Sequence, residues 1–426
     1  MKRDTGIQLE LFKTESTNRN QLDYNDVSLS NYRPKCLDLF CGAGGMSLGF
    51  EESGFDIVGG VEIDPVHAGV HQYNFPYCRI IRDDIHNLNG KTLLNELGRI
   101  DIIIGGPPCQ GFSMIGKREE NDNRNGLVME YMRLVSEIKP KYFVMENVSG
   151  LTVGYGKKYL EDAIGFIKSN DYDIVMPYKV LNAADYGVPQ NRKRLFLLGY
   201  RSDQIAPKYP QLNSDLVTVA DAIDDLPNIE EFEALINDDN IEYSVRPISE
   251  YARNLHVPEE DCKNFGYNRI WNKNLITGSL RTNHTELSRK RFRETLQGET
   301  EKISRFLKLN PNGQCNTLRA GTDRHRGAYT GPRPIHPYHD RCISVREAER
   351  LHSFPDWFRM HKTKWHGFRE VGNSVPPLLA KAVGDQILKA MKINPVKPSE
   401  LIPLGDESLL SLSTEEALRG ENKNGE

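Results

Sequence analysis

The chain has 426 residues, with 55 Lys and Arg against 59 Asp and Glu, and a mean hydropathy of −0.56. That length can bury a full core, in two domains or in one large domain carrying an insertion. No apolar run approaches the roughly 20 residues a bilayer helix needs, and the opening MKRDTGIQLELFKTESTNRN lacks the apolar core of a signal peptide, so a cytoplasmic protein without membrane contact is expected. Seven cysteines (36, 41, 78, 109, 262, 315, 342) form an odd set with no C-x-x-C spacing. This points away from a disulfide framework and from a metal cluster, and leaves reduced thiols.

The net charge of −4 hides an asymmetry. Residues 211 to 261 hold 14 Asp or Glu against 2 Lys or Arg, whereas residues 281 to 346 hold 14 Lys or Arg against 6 Asp or Glu. A solvated face accounts for many charge runs, but the second one also carries His284, His325, His336 and His339 and can match a phosphate backbone.

In chain order, residues 1–33 are polar and without period, and are expected to be mobile. Residues 34–227 then alternate short apolar runs with helix-like stretches. Cys36 to Phe40, Ile57 to Val61, Ile100 to Ile104, Tyr142 to Met145 and Leu195 to Leu198 read as strands, which predicts an α/β fold: a mostly parallel sheet with helices on both faces. Over 228–343 the pattern dissolves into loops and short apolar fragments, and a second, smaller and irregular domain is placed there. Residues 344–396 return to the first domain with helices expected over Val345 to Leu351 and Pro377 to Met391, and 397–426 form a second mobile tail.

Cys41-Gly42-Ala43-Gly44-Gly45 follows the first strand and opens a helix. Glycines there let backbone approach a ligand and aim helix N-terminal N–H groups at it. The dinucleotide fingerprint fails where Ser47 replaces its last small residue, but Glu62, 18 residues after Gly44 and at the end of the next strand, suits a ribose. Two stretches resemble phosphate-binding loops and fail: Arg118 stands where Ser or Thr is required, and Ile85 where a glycine is.

Gly105-Gly106-Pro107-Pro108-Cys109-Gln110-Gly111-Phe112-Ser113 follows the third listed strand. Two prolines fix φ near −65° and remove two donors, which positions the thiol that follows more than it stabilises a strand. The next strand ends in Glu146-Asn147-Val148, so a carboxylic acid can face that thiol across neighbouring strands. A thiolate adding to one carbon of an electron-poor ring while an acid protonates a ring nitrogen is coherent chemistry. Gln190-Asn191-Arg192-Lys193-Arg194 reads as a basic loop whose guanidinium groups can hold an anionic substrate.

Asp38-Leu39-Phe40-Cys41-Gly42-Ala43-Gly44-Gly45, Glu62-Ile63-Asp64, Asp83-Asp84-Ile85, the Pro107-Pro108-Cys109 block, Glu146-Asn147-Val148 and Gln190 to Arg194 are followed by Ser344 to Ala348, Phe354-Pro355-Asp356 and Gly372-Asn373-Ser374-Val375-Pro376-Pro377. As ordered blocks over roughly residues 35 to 395 these resemble the DNA cytosine carbon-5 methyltransferase family, in the form of a bacterial restriction-modification enzyme. The resemblance implies an S-adenosylmethionine-dependent, Rossmann-like sheet with a target-recognition domain. It implies Cys109 as the nucleophile at carbon 6 of cytosine, Glu146 as the acid at ring nitrogen 3, and Arg194 and Arg192 at the base. The cofactor S-adenosyl-L-methionine would be held by Phe40, Gly42, Gly44, Gly45, Glu62, Asp84, Ile85, Pro108 and Asn373. The partner would be double-stranded DNA, with the base flipped out, and a cognate restriction endonuclease would act as functional partner of a monomeric enzyme.

In the recognition domain Arg281, Arg289, Arg319, Arg324, Arg326 and Arg333 are candidates for phosphate or base contact, and the acidic stretch 228 to 261 is given only a solvent-facing place. Two rival readings stand beside this one: a tRNA cytosine methyltransferase of the same family, and a catalytically dead DNA-binding protein on the same fold.

Overall fold

The computed structural model describes residues 32–108, 126–212, 216–258, 263–321 and 333–419; Cys109, Arg324 and Arg326 lie outside them. The first half runs β1 (Lys35–Leu39), α1 (Gly45–Ser53), β2 (Asp56–Val61), α2 (Pro65–Asn74), β3 (Arg79–Ile81), α3 (Gly90–Leu97), β4 (Ile102–Gly105), α4 (Leu127–Ile138), β5 (Tyr142–Val148), α5 (Gly154–Lys168), β6 (Tyr172–Ile174), β7 (Lys179–Asn182) and β8 (Lys193–Arg201). The second half adds α6 (Val219–Ile223), β9 (Ile241–Glu242), α7 (Glu250–His256), β10 (Asn268–Ile270), β11 (Leu275–Ile276), α8 (Glu286–Glu294), α9 (Val345–Leu351), α10 (Lys364–Asn373), α11 (Pro377–Met391), β12 (Leu401–Pro403) and α12 (Thr414–Arg419).

The main sheet orders its strands β3-β2-β1-β4-β5-β8-β6, with β7 also paired to β8. Strands β1 to β5 are parallel, whereas β8 runs antiparallel to β5 and also to β6 and β7. Alternation along the strands divides the core in two. Ile102, Ile104, Tyr142, Val144, Phe196 and Leu198 pack on one face with Leu379, Val383 and Ile387 of α11. Ile103, Phe143, Met145, Leu195 and Leu197 pack on the other with Tyr131, Val135, Leu160 and Ile167 of α4 and α5. Both faces are therefore covered, as a largely parallel sheet requires.

The chain's return closes the first face. Helix α11 lies against α1 so closely that a Cβ on Gly49 would stand 2.4 Å from the Pro377 carbonyl and 2.5 Å from the Ala380 Cβ. Only glycine admits that crossing.

Between these halves, short pieces form small cores of their own, one around Ile229, Leu235, Ile241 and Ile276 and another around Phe292, Ile335 and Cys342. Two expectations are corrected here. Part of the acidic stretch does not face solvent: Glu230 pairs with Arg289, and buried Asp239 lies 3.6 Å from the Arg359 guanidinium. Residues 401–419 are not a mobile tail either, because β12 pairs with β10, the Gly405 N–H donates to the Tyr73 carbonyl and Leu410 is fully buried. Among the described residues no helix is long and apolar enough to cross a membrane.

Candidate active site

The sheet register brings the predicted residues together. Leu39 pairs with Val61 on one side and with Gly105 on the other, and Gly105 pairs with Met145. The next residue of each strand, Glu62, Phe40, Gly106 and Glu146 in sheet order, therefore stands in one row at the carboxyl edge, across the point between β1 and β4 where strand order reverses. With parallel neighbours about 4.8 Å apart, Glu62 and Glu146 are separated by three strand spacings, roughly 14 Å.

At one end of the row the backbone turns through left-handed conformations at Phe40 (φ 65°), Gly42 (φ 53°) and Gly44 (φ 103°) before α1 begins. A Cβ on Gly44 would stand 2.5 Å from the Phe75 ring, and one on Gly45 would stand 2.5 Å from the Val375 carbonyl. The second contact draws Ser374 and Val375 onto the glycine turn, which places neighbouring Asn373 at the same edge. The Glu62 carboxylate accepts the Gly42 N–H at 2.9 Å through Oε2 and the Asp64 N–H at 2.9 Å through Oε1. Burial nevertheless raises Glu62 to about 7, against the pull of those two donors.

The exposed Asn373 side chain makes no hydrogen bond among the described residues, Ile85 is buried, and Asp84 spends Oδ1 on the His86 N–H and ring. Ile63, to which the sequence assigns no role, leaves 63% of its surface exposed beside the Glu62 carboxylate. The signal available in the sequence was an aliphatic residue between two acidic ones at a strand end.

At the other end, Arg194 Nε lies 2.9 Å from Glu146 Oε1, with both side chains nearly buried. The antiparallel register sets Arg194 opposite Val148, two residues from Glu146 on the same face, so the pair is a diagonal neighbour across β5 and β8. Burial pushes the Glu146 carboxyl above its ordinary value, and Arg194 followed by Arg192 pulls it down. Gly106 makes room for it, since a Cβ there would stand 2.9 Å from Glu146 Oε2. Asn147 donates from Nδ2 to the Pro107 carbonyl at 3.0 Å, tying β5 to the residues that lead into Cys109. Pro107 is buried and Pro108 exposed.

Arg192 is a correction. It does not reach the pocket as a base-contacting group, because it is 1% exposed and its guanidinium donates to the carbonyls of Leu318, Gly372 and Ser374. Among the recognition candidates, Arg289 is paired with Glu230 and lies 3.8 Å from Asp340, and the Arg333 guanidinium lies over the Phe368 ring at 4.4 Å. Arg319 is exposed with no ion pair among the described residues.

A glycine turn into α1, an acidic residue ending β2 and this strand order define an S-adenosylmethionine-dependent methyltransferase fold. Comparison with known proteins narrows the class. The model of the C-5 cytosine-specific DNA methylase family matches residues 34–389. The Type II methyltransferase M.XorII of Xanthomonas oryzae pv. oryzae is 53% identical over 389 residues, covering 90% of this chain and 92% of that protein. The Type II methyltransferase M1.HphI of Haemophilus parahaemolyticus is 35% identical over 375 residues, covering 85% and 90% respectively. The crystal structure of a candidate DNA modification methyltransferase encoded within a prophage of E. coli superposes with a TM-score of 0.71 at 34% identity, covering 84% of this chain and 99% of that one. The chain belongs to the C-5 cytosine-specific DNA methylase family, and its activity is methyl transfer to carbon 5 of cytosine.

Replacing Arg194 with Met removes the strongest charge opposing the desolvation of Glu146. The carboxyl then titrates at higher pH than in the wild type, as read by carbon NMR of a Glu-labelled sample; an unchanged or lower value contradicts the pairing.

Proposed function

We propose that the enzyme methylates one cytosine within a specific short sequence of double-stranded DNA, through a covalent Cys109 adduct on a flipped-out base, and so protects host DNA from a cognate restriction endonuclease. The observation that carries this reading is the Glu146–Arg194 pair standing over Gly106, with Asn147 holding the Pro107 carbonyl two residues before Cys109. The Type II methyltransferase names of the two relatives support the restriction context. The enzyme is read as cytoplasmic and monomeric.

In this mechanism the Cys109 thiolate adds to carbon 6 of cytosine while Glu146 delivers a proton to ring nitrogen 3. Burial holds that carboxyl above its ordinary value, the direction a group that must deliver a proton requires. The addition makes carbon 5 nucleophilic. Once carbon 5 is substituted, loss of its proton and departure of the thiolate restore the ring. Arg194 holds Glu146 in place and contacts the base. Flipping costs a few kcal/mol, which contacts to the DNA backbone offset.

The residues at the other end of the row fit S-adenosyl-L-methionine, which supplies the methyl group. Glu62 has used two of its roughly four acceptor positions on backbone donors and keeps the others for ribose hydroxyls. Exposed Ile63 offers apolar surface for the adenine ring, Ile85 and Asp84 would flank that ring, with Asp84 Oδ2 open among the described residues, and Phe40 and the turn Gly42, Gly44 and Gly45 bring backbone close to the ligand. Pro108 and Asn373 complete the set.

Ribose hydroxyls donate to an ionised Glu62, so cofactor binding below pH 7 has to release its proton. The Kd for S-adenosylmethionine therefore falls as pH rises from about 6 to 8, by up to about tenfold per unit on the acid side. Glu62→Gln flattens the profile; a wild-type Kd that is flat or rises over that range contradicts this role.

Methyl transfer from tritiated S-adenosylmethionine to plasmid DNA, followed by bisulfite sequencing, tests the whole reading. Carbon-5 methylation recurs at one short motif and disappears in Cys109→Ala. Incorporation into tRNA and not into duplex DNA would replace the substrate, and activity surviving in Cys109→Ala would remove the nucleophile.

A further inference from the structure

The basic loop that the sequence marks as substrate-facing holds a buried polar junction between chain segments far apart in sequence. Arg192 Nη1 donates to the Leu318 carbonyl at 2.8 Å, and Nη2 donates to the carbonyls of Gly372 at 2.7 Å and Ser374 at 2.9 Å. Gln190, fully buried, accepts the Leu318 N–H at 3.1 Å and donates to the Leu351 carbonyl at 3.1 Å. His352 places Nε2 3.0 Å from the Ser374 carbonyl and Nδ1 3.0 Å from the Gln190 amide nitrogen. Burial followed by the Arg192 charge keeps that imidazole neutral, so it donates to Ser374 and accepts from Gln190.

What these contacts grip matters more than their number. The two carbonyls on Nη2 flank Asn373, whose amide is exposed at the cofactor end of the row. The carbonyl on Nη1 immediately precedes Arg319, an exposed cation with no ion pair among the described residues. The two backbones also touch directly, since a Cβ on Gly372 would stand 2.3 Å from the Ala320 nitrogen and 2.4 Å from the Arg319 carbonyl carbon. Val375, one residue past the gripped Ser374, continues the contact onto Gly45 of the glycine turn.

We propose that Arg192 is a positioning residue that couples the two ligands: by holding Leu318, Gly372 and Ser374 in one guanidinium it makes the Arg319 and Asn373 segments move as a unit, so DNA and cofactor each tighten binding of the other. This rests on the reading above, in which Asn373 faces the cofactor and the recognition segment faces DNA. A rigid planar fork can satisfy three carbonyls at fixed angles, whereas a lysine ammonium is a single point charge on a flexible stem and cannot hold the same arrangement. Coupling between two ligands is reciprocal, and a change of about fivefold or more is the usual scale.

The test measures the Kd of S-adenosylhomocysteine by calorimetry, with and without a saturating duplex bearing the motif found by bisulfite sequencing, for the wild type and for Arg192→Lys. In the wild type the duplex tightens S-adenosylhomocysteine by about fivefold or more, and in Arg192→Lys the ratio falls to within about twofold while each ligand alone still binds. A wild type that binds both ligands with a ratio near one overturns the coupling and leaves the proposed function intact, and so does a variant that keeps the wild-type ratio. Failure of the wild type to bind either ligand overturns the function reading and the coupling with it.

Because Arg192 is buried and the variant can fail to fold, amide hydrogen exchange on the wild type gives a second reading. The duplex alone, without cofactor, slows exchange over residues 372 to 375 by about fivefold or more. Unchanged exchange there overturns the proposal. Loss of thermal stability in the variant with an intact coupling ratio marks Arg192 as a packing residue and overturns it as well.

Discussion

The register of the parallel strands is the constraint on which the rest depends. Because β2, β1, β4 and β5 all run the same way and pair without offset at Val61, Leu39, Gly105 and Met145, the residues that follow emerge in a single row. A shift of one residue in any strand would turn its end to the other face of the sheet. Glu62 and Glu146 would then no longer share an edge. The proposed cofactor end and base end of the site are thus positioned by ladder hydrogen bonds and by the two-sided core beneath them.

Close backbone approach is the second condition, and it explains why so few side chains do so much. Gly49 lets α11 lie on α1, Gly45 lets Val375 meet the glycine turn, Gly372 lets the backbone at Arg319 and Ala320 touch the end of α10, and Gly106 opens space for the Glu146 carboxylate. Each contact joins parts of the chain that a side chain would hold apart. The late-coming block Gly372 to Pro377 reaches the first strand's turn only because of them. A buried Arg350, paired with Asp225 and Asp356, further ties α9 to the residues after α6.

Much of this was legible from sequence because period-2 apolar runs and ordered blocks carry local information. Ile102 to Ile104 alternates between the two cores, and Pro377 to Met391 is one helix, as its pattern indicates. What was not legible is set by long-range pairing. Arg192 and Arg194 are two residues apart in one basic loop, yet one is sealed under three carbonyls and the other lies against Glu146; nothing in their chemistry distinguishes them before the segments at 318 and 372 are in place. Glu230 meets Arg289 across 59 positions, so the acidic stretch looked solvated. The tail is polar overall and is held at isolated points, such as the Leu410 carbonyl accepting from the Lys362 N–H, which give no periodic signal.

The central claim is that Cys109 forms a bond to the cytosine ring while Glu146 and Arg194 support it from β5 and β8. The most direct measurement uses a duplex carrying 5-fluorocytosine at the methylated position, incubated with enzyme and S-adenosylmethionine and analysed by denaturing electrophoresis and peptide mass spectrometry. With fluorine in place of the departing proton the thiolate cannot leave. The account predicts a complex that survives denaturation, with the modified nucleotide attached to the peptide containing Cys109. Methylation of ordinary cytosine by the same preparation without any such complex, or an adduct on another residue, would contradict it.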